Sequence, residues 1–117
     1  DALPIWQVRD FVYIKDAVEM TLYFLDHPEI GGIFNIGTGK ARSWNDLAKG
    51  IFEALEINPD VEYIEMPESI RDQYQYYTCA KMEKINKAGY DKSVLSLEEG
   101  INDYVKKYLI PEKRLGN

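Results

Sequence analysis

A single cysteine, Cys79, and a single histidine, His27, occur in 117 residues. One cysteine excludes an internal disulfide framework, and the pair leaves little from which to build a zinc site, so a reducing cytoplasm is the expected setting. No apolar run approaches the ~18 residues of a membrane span, and the first residues lack the charged start and apolar core of a signal peptide. No membrane association is expected. Basic charge is also short: 14 Lys and Arg stand against 20 Asp and Glu, a formal net charge of −6. Nucleic-acid binders usually carry a basic stripe, whereas here the cations are interspersed with carboxylates, with local basic spots only around Arg9 and Arg71. Nucleic acid is not an expected partner. There are no repeats, and the length leaves room for one core rather than separate cofactor and substrate domains. The chain opens on Asp1-Ala2-Leu3-Pro4-Ile5, of which Ala2-Leu3-Pro4-Ile5 spells what a common sequencing-adapter end encodes in frame, the alternative being an ordinary linker or domain boundary. Residues 1–5 are read as a non-native leader and set aside, which leaves 6–117 as the domain.

What is present reads as strands alternating with helices, hence an α/β layer with a small sheet and about four helices. Aromatic and β-branched residues at 11–14 predict a strand. Asp16 with Glu19 predicts a capped helix start, and Val18, Leu22 and Leu25, widened by Met20 and Phe24, give its apolar stripe, ended by Pro28. After the Gly31-Gly32 turn, Ile33, Phe34 and Ile36 predict a buried strand running into Gly37-Thr38-Gly39. Ser43 with Asp46 caps a second helix, with Leu47, Ala48, Ile51 and Leu55 inward and Asn58-Pro59 as its stop. Residues 61–66 read as a strand, and 68–77 as a polar, tyrosine-rich loop with a short strand at Tyr76-Tyr77, the expected place for ligand contacts. Helix 81–88, with Met82 and Ile85 inward, stops at Gly89. Ser96 with Glu99 opens the last helix, whose inner face is Leu97, Ile101, Tyr104, Val105 and Tyr108, up to Pro111.

Few of the chemical motifs survive scrutiny. Gly37-Thr38-Gly39 invites a dinucleotide-loop reading, but the third glycine of G-x-G-x-x-G would fall at Arg42, so a tight turn is expected instead. Tyr77 and Lys81 have the Y-x-x-x-K spacing that lets a lysine lower a phenol's pKa on one helical face. With nine tyrosines in the chain, about one such match is expected by chance, and Tyr77 precedes the helix. His27 reads as a helix-end cap, Cys79 as structural, and Glu62, Glu65 and Glu68 as a solvated edge rather than a glycosidase pair. Arg9 carries a rigid fork of donors suited to phosphate oxygens. From spacing alone, an Arg9–Asp10 surface pair is the favoured reading.

Resemblance reverses that preference. Arg9-Asp10-Phe11-Val12-Tyr13-Ile14, Asp16, Phe34-Asn35-Ile36-Gly37-Thr38-Gly39, Ser43 and Ala88-Gly89-Tyr90 resemble the C-terminal part of extended short-chain dehydrogenase/reductases acting on nucleotide sugars, the NAD-dependent epimerase/dehydratase family. Within it, Glu62-Tyr63-Ile64-Glu65-Met66-Pro67, Tyr74-Gln75 and Thr78 are most similar to members acting on ADP-heptose. Asp72-Gln73 departs from the small and basic residues expected before Tyr74. The resemblance implies the substrate-binding portion of a Rossmann-type fold, with the NADP-binding domain outside 6–117. It also implies that Arg9 contacts the substrate's nucleotide diphosphate and that Tyr74 binds substrate. The catalytic Tyr/Lys pair and the cofactor loop would lie in the other half, so no catalytic, cofactor-binding or metal-ligating residue is assigned. The implied chemistry is hydride transfer to NADP and back across a keto intermediate at C6 of the heptose. It serves lipopolysaccharide core synthesis in a homo-oligomer, and this chain alone is expected to be inactive. Two alternatives stand: the same part of another nucleotide-sugar epimerase or 4,6-dehydratase, and a stand-alone, non-catalytic ligand- or protein-binding domain.

Overall fold

The computed structural model describes residues 7–114; the leader assigned to 1–5 lies outside them. The sheet is built around strand β1 (Val8–Arg9), which pairs antiparallel with β2 (Arg42–Ser43), Val8 opposite Ser43 and Arg9 opposite Arg42. On its other side Val8 forms a parallel bridge with Tyr77. Among the described residues the ribbon is accompanied by five helices: α1 (Ile14–Asp26), α2 (Trp44–Leu55), α3 (Glu68–Arg71), α4 (Glu83–Lys87) and α5 (Leu97–Tyr104), the last continuing into a π-helical turn (Val105–Leu109). The expected α/β class holds, with one helix more than the sequence pattern gave.

Local chemistry sets the helix starts. Ser43 Oγ accepts the Asp46 N–H at 3.0 Å while the Asp46 carboxylate accepts the Ser43 N–H at 3.1 Å, a reciprocal box that opens α2. Ser96 and Glu99 do the same for α5, so both predicted boxes form. Gly89, at φ +107°, takes the left-handed position that ends α4.

Three expectations change. The strand expected at 11–14 lies earlier, at Val8–Arg9, and α1 begins at Ile14 with Tyr13, not Asp16, in the capping position. Phe11 and Tyr13 are drawn elsewhere. The Phe11 ring packs edge-on against Trp44 with centroids 5.0 Å apart, and the Tyr13 hydroxyl donates to Asp103 at 2.7 Å. Asp16, inside the first turn, accepts the Leu95 N–H at 3.0 Å. The strands expected at 33–36 and 61–66 do not form. No neighbouring strand is present for them among the described residues, and the Ile33 carbonyl is taken instead by Lys84 Nζ at 2.7 Å. Ile33 is 87% exposed. Finally, the buried side of α1 is Met20 with Tyr23 and Phe24, which join Ile85, Tyr90, Phe34, Met82 and Val94 in the main core. The predicted stripe of Val18, Leu22 and Leu25 faces outward, Leu25 being 73% exposed.

A second packing unit joins α2 to α5. Gly50 and Gly100 are buried, Ile101 lies over Gly50, and Ala54 and Val105 are buried alongside. Together with Phe11 and Tyr13 these helices border an apolar cavity of about 300 Å³. Polar ties fix the unit to the rest. Arg42 forms a two-pronged pair with Glu98 at 2.6 and 3.0 Å. Asp103 receives the Tyr13 hydroxyl, Lys15 Nζ at 2.8 Å and Lys107 Nζ at 2.7 Å. The two ammonium groups and the phenol hold the Asp103 carboxyl well below the usual carboxylate range. Desolvation, helped by the bond to Asp103, raises the Tyr13 phenol to about 12.

Candidate functional site

The central strand positions the arginine. Val8 donates its N–H to the Tyr76 carbonyl at 2.9 Å and its carbonyl accepts the Thr78 N–H at 3.3 Å, which lays 76–78 along β1. Arg9 therefore emerges beside the tyrosine-rich segment. Its Nη1 donates to the Val8 carbonyl at 2.8 Å and its Nη2 to the Gln75 carbonyl. The guanidinium carbon sits 4.9 Å from the centroid of the Tyr74 ring, a cation–π arrangement, and Tyr74 in turn meets Tyr76 edge-on at 6.2 Å. The two residues that the sequence marks for substrate, Arg9 and Tyr74, are thus in direct contact. The surface pair between Arg9 and Asp10 does not form: the Arg9 donors go to carbonyls and the Asp10 carboxylate faces other partners.

Those partners are three backbone amides and one hydroxyl. Asp10 accepts the Thr38 N–H at 2.9 Å, the Thr38 hydroxyl at 2.5 Å, the Gly39 N–H at 2.9 Å and the Ala80 N–H at 3.0 Å. Burial pushes the carboxyl up, but the bonds from the Thr38 hydroxyl and the Ala80, Gly39 and Thr38 amides outweigh it and leave the pKa below the ordinary aspartate value. A side chain at Gly37 would enter this node, its Cβ 2.6 Å from Ala80 Cβ and 2.7 Å from Asp10 Oδ2.

This arrangement bears on the cofactor. A dinucleotide loop offers free backbone N–H groups to a pyrophosphate. Here the Thr38 and Gly39 amides already donate to Asp10, and α2 starts only at Trp44. The turn does not fit a nicotinamide dinucleotide. Tyr77 and Lys81 do not form a catalytic pair either. Tyr77 lies in the bridge to β1, Lys81 precedes α4, and the bond with Cys79 pushes the Tyr77 phenol up, opposite to what proton transfer needs. His27 Nδ1 lies 2.7 Å from the Tyr23 carbonyl at the end of α1, as its position beside Pro28 suggested. Among the described residues no group of three or more His, Cys, Asp or Glu is placed to hold a metal ion.

Sequence reasoning missed two residues near this site. From spacing, Asp10 reads only as a partner for Arg9, because the donors it accepts from lie at 38, 39 and 80. Arg71 was noted only as a basic spot. It stands at the end of α3, three residues before Tyr74. Its Nη2 donates to the Met66 carbonyl at 3.0 Å, and its buried Nε has no hydrogen-bond partner among the described residues. An unpaired buried N–H is costly, so this second guanidinium in the loop is a candidate ligand contact.

Comparisons with known proteins agree with this architecture. Residues 4–37 match the sequence profile of the NAD dependent epimerase/dehydratase family. The chain is similar to that family over this segment, and it shares its α/β fold with a solved epimerase. Its relatives include the ADP-L-glycero-D-manno-heptose-6-epimerase of Nitratidesulfovibrio vulgaris (strain DP4), 48% identical over 103 residues, a match covering 88% of this chain and 32% of the relative. The enzyme of the same name from Fusobacterium nucleatum subsp. nucleatum is 47% identical over 112 residues, 91% of this chain and 34% of the relative. That from Pseudomonas paraeruginosa is 40% identical over 111 residues. Among solved structures, the UDP-N-acetylglucosamine 4-epimerase from Methanobrevibacter ruminantium M1, in complex with UDP-N-acetylmuramic acid, superposes with a TM-score of 0.75 at 23% identity, over 92% of this chain and 33% of that one. The chain spans about a third of the length of the curated relatives it matches.

Proposed function

We propose that this chain is the substrate-binding part of a cytoplasmic, homo-oligomeric epimerase that interconverts ADP-D-glycero- and ADP-L-glycero-D-manno-heptose at C6 for lipopolysaccharide core synthesis. In this reading NADP, which would supply the hydride chemistry, is held by a nucleotide-binding domain outside residues 6–117, because the Thr38 and Gly39 amides of the turn already donate to Asp10. The observation that carries the reading is the Arg9–Tyr74 contact. Two carbonyls and an aromatic face hold the guanidinium in one orientation and leave part of its donor fork open toward a diphosphate. Arg71, whose buried Nε is without a partner, is a second guanidinium in the loop that carries Tyr74. Kinship with the heptose epimerases supports the choice of sugar nucleotide. The outward stripe of α1, from Ile14 to Leu25, supports a further domain packed there, since a helix apolar on both sides belongs inside a larger body.

The test is steady-state kinetics of the full-length enzyme on ADP-heptose, with Arg9→Ala as the perturbation. Loss of a charged contact should raise KM by about ten- to a hundredfold. An unchanged KM and kcat/KM would remove Arg9 from the site. Turnover of UDP- or dTDP-sugars in place of ADP-heptose would reject the heptose assignment.

A further inference from the structure

We infer that Asp10 is the positioning residue for the Arg9–Tyr74 site. It holds the two segments flanking β1 in register so that the Gln75 carbonyl and the Tyr74 ring close around the guanidinium. The inference rests on the reading of Arg9 as a substrate contact and deepens it.

The geometry runs as one chain of contacts. Backbone pairing between β1 and the 76–78 segment stops at Val8, whose N–H and carbonyl serve Tyr76 and Thr78. Two residues on, the Asp10 side chain extends the seam by accepting the Ala80 N–H. On the opposite flank it accepts the amides of Thr38 and Gly39 and the Thr38 hydroxyl, just ahead of β2, which pairs with β1 through Arg42 and Ser43. One carboxylate thus fastens both neighbours of the strand that bears Arg9. The Gln75 carbonyl that anchors Arg9 Nη2 and the ring beneath the guanidinium belong to the segment so fastened. A carboxylate suits this node because every partner is a donor. In Asp10→Asn one oxygen becomes an NH₂ group, and whichever way the amide turns, a donor faces a donor.

The experiment is a double-mutant cycle in the full-length enzyme, with KM and kcat measured on ADP-heptose for Arg9→Ala, Asp10→Asn and the pair. Asp10→Asn is expected to raise KM about tenfold while kcat changes by less than about threefold, and to add nothing in the Arg9→Ala background. A merely structural loss would persist in that background. Three results overturn the inference: KM unchanged in Asp10→Asn, KM effects of the two substitutions that multiply, or an Arg9→Ala enzyme with unaltered KM. The last also removes the reading of Arg9 as a substrate contact, whereas the first two leave it standing. Thr38→Val, which deletes one bond to Asp10 and keeps the backbone amides, covers the case in which Asp10→Asn does not fold. Its expected rise in KM is about two- to fivefold, again absent when Arg9 is alanine; an unchanged KM for Thr38→Val overturns the inference as well.

Discussion

Two glycines with nearly equal overlap should respond to alanine very unequally. At Gly37 an added Cβ would sit 2.6 Å from Ala80 Cβ and 2.7 Å from Asp10 Oδ2. Carbon atoms prefer about 3.5–4.0 Å, so about 1 Å must be taken up. Neither neighbour can move cheaply: Ala80 Cβ is fixed to the backbone, and the Asp10 carboxylate is gripped by the amides of Thr38, Gly39 and Ala80. Overpacking of about 1–3 kcal/mol, plus about 1.5 kcal/mol for one weakened charged hydrogen bond, gives an expected loss of about 3 kcal/mol. At Gly50 the new Cβ would lie 2.7 Å from Ile101 Cδ1, the free end of a flexible side chain. A shifted rotamer costs about 0.5–1.5 kcal/mol, and replacing glycine by alanine inside a helix returns about 1 kcal/mol. Gly50→Ala should therefore stay within about 1 kcal/mol of the parent. Urea unfolding followed by far-UV circular dichroism, fitted with a shared m-value, measures both. The reasoning fails if Gly37→Ala unfolds within about 0.5 kcal/mol of the parent, or if Gly50→Ala is the more damaged of the two.

Other outcomes follow from the charged node and the turn. Asp103 binds its proton less readily in the folded state than in the unfolded one. Its contribution is present above about pH 4 and lost as pH falls further, so the stability gap between the parent and Asp103→Asn should shrink on acidification; a gap that widens below about pH 4 contradicts this. Tyr13, raised to about 12, keeps its proton in the fold, so its contribution is present below about pH 10 and disappears as pH rises from there to about 12. Absorbance titration should show a late tyrosinate phase from which Tyr13→Phe removes one group. The 117-residue chain, titrated with NADPH and followed by nucleotide fluorescence, should show no saturable binding, because the Thr38 and Gly39 amides already donate to Asp10. A micromolar Kd would contradict that account of the turn.

How far the sequence could be read depended on the range of each interaction. The boxes at Ser43–Asp46 and Ser96–Glu99 and the stop at Gly89 involve neighbours within a few positions, and all three form as expected. Strands are defined by partners elsewhere in the chain, so residues 33–36 and 61–66 carried a strand-like composition without a strand. In α1 both the Met20–Phe24 side and the Val18–Leu25 side are apolar, and periodicity alone cannot say which of two stripes meets the core. The same limit applied at the site. Arg9 and Tyr74 were marked by resemblance, but their contact, and the grip of Asp10 on residues 38, 39 and 80, join positions whose spacing has no local signature.

The Asp103 node also bears on when the chain can finish folding. Tyr13 and Lys15 reach it across 90 and 88 positions of sequence, and β1 waits for residues 42–43 and 76–78 to arrive. During synthesis the early segments leave the ribosome first and find α2 within reach, but the lock on the entrance to α1 closes only after α5 has emerged. Contacts of such long range slow the final step. The nascent segment can thus wind α1 before α5 is there to latch it.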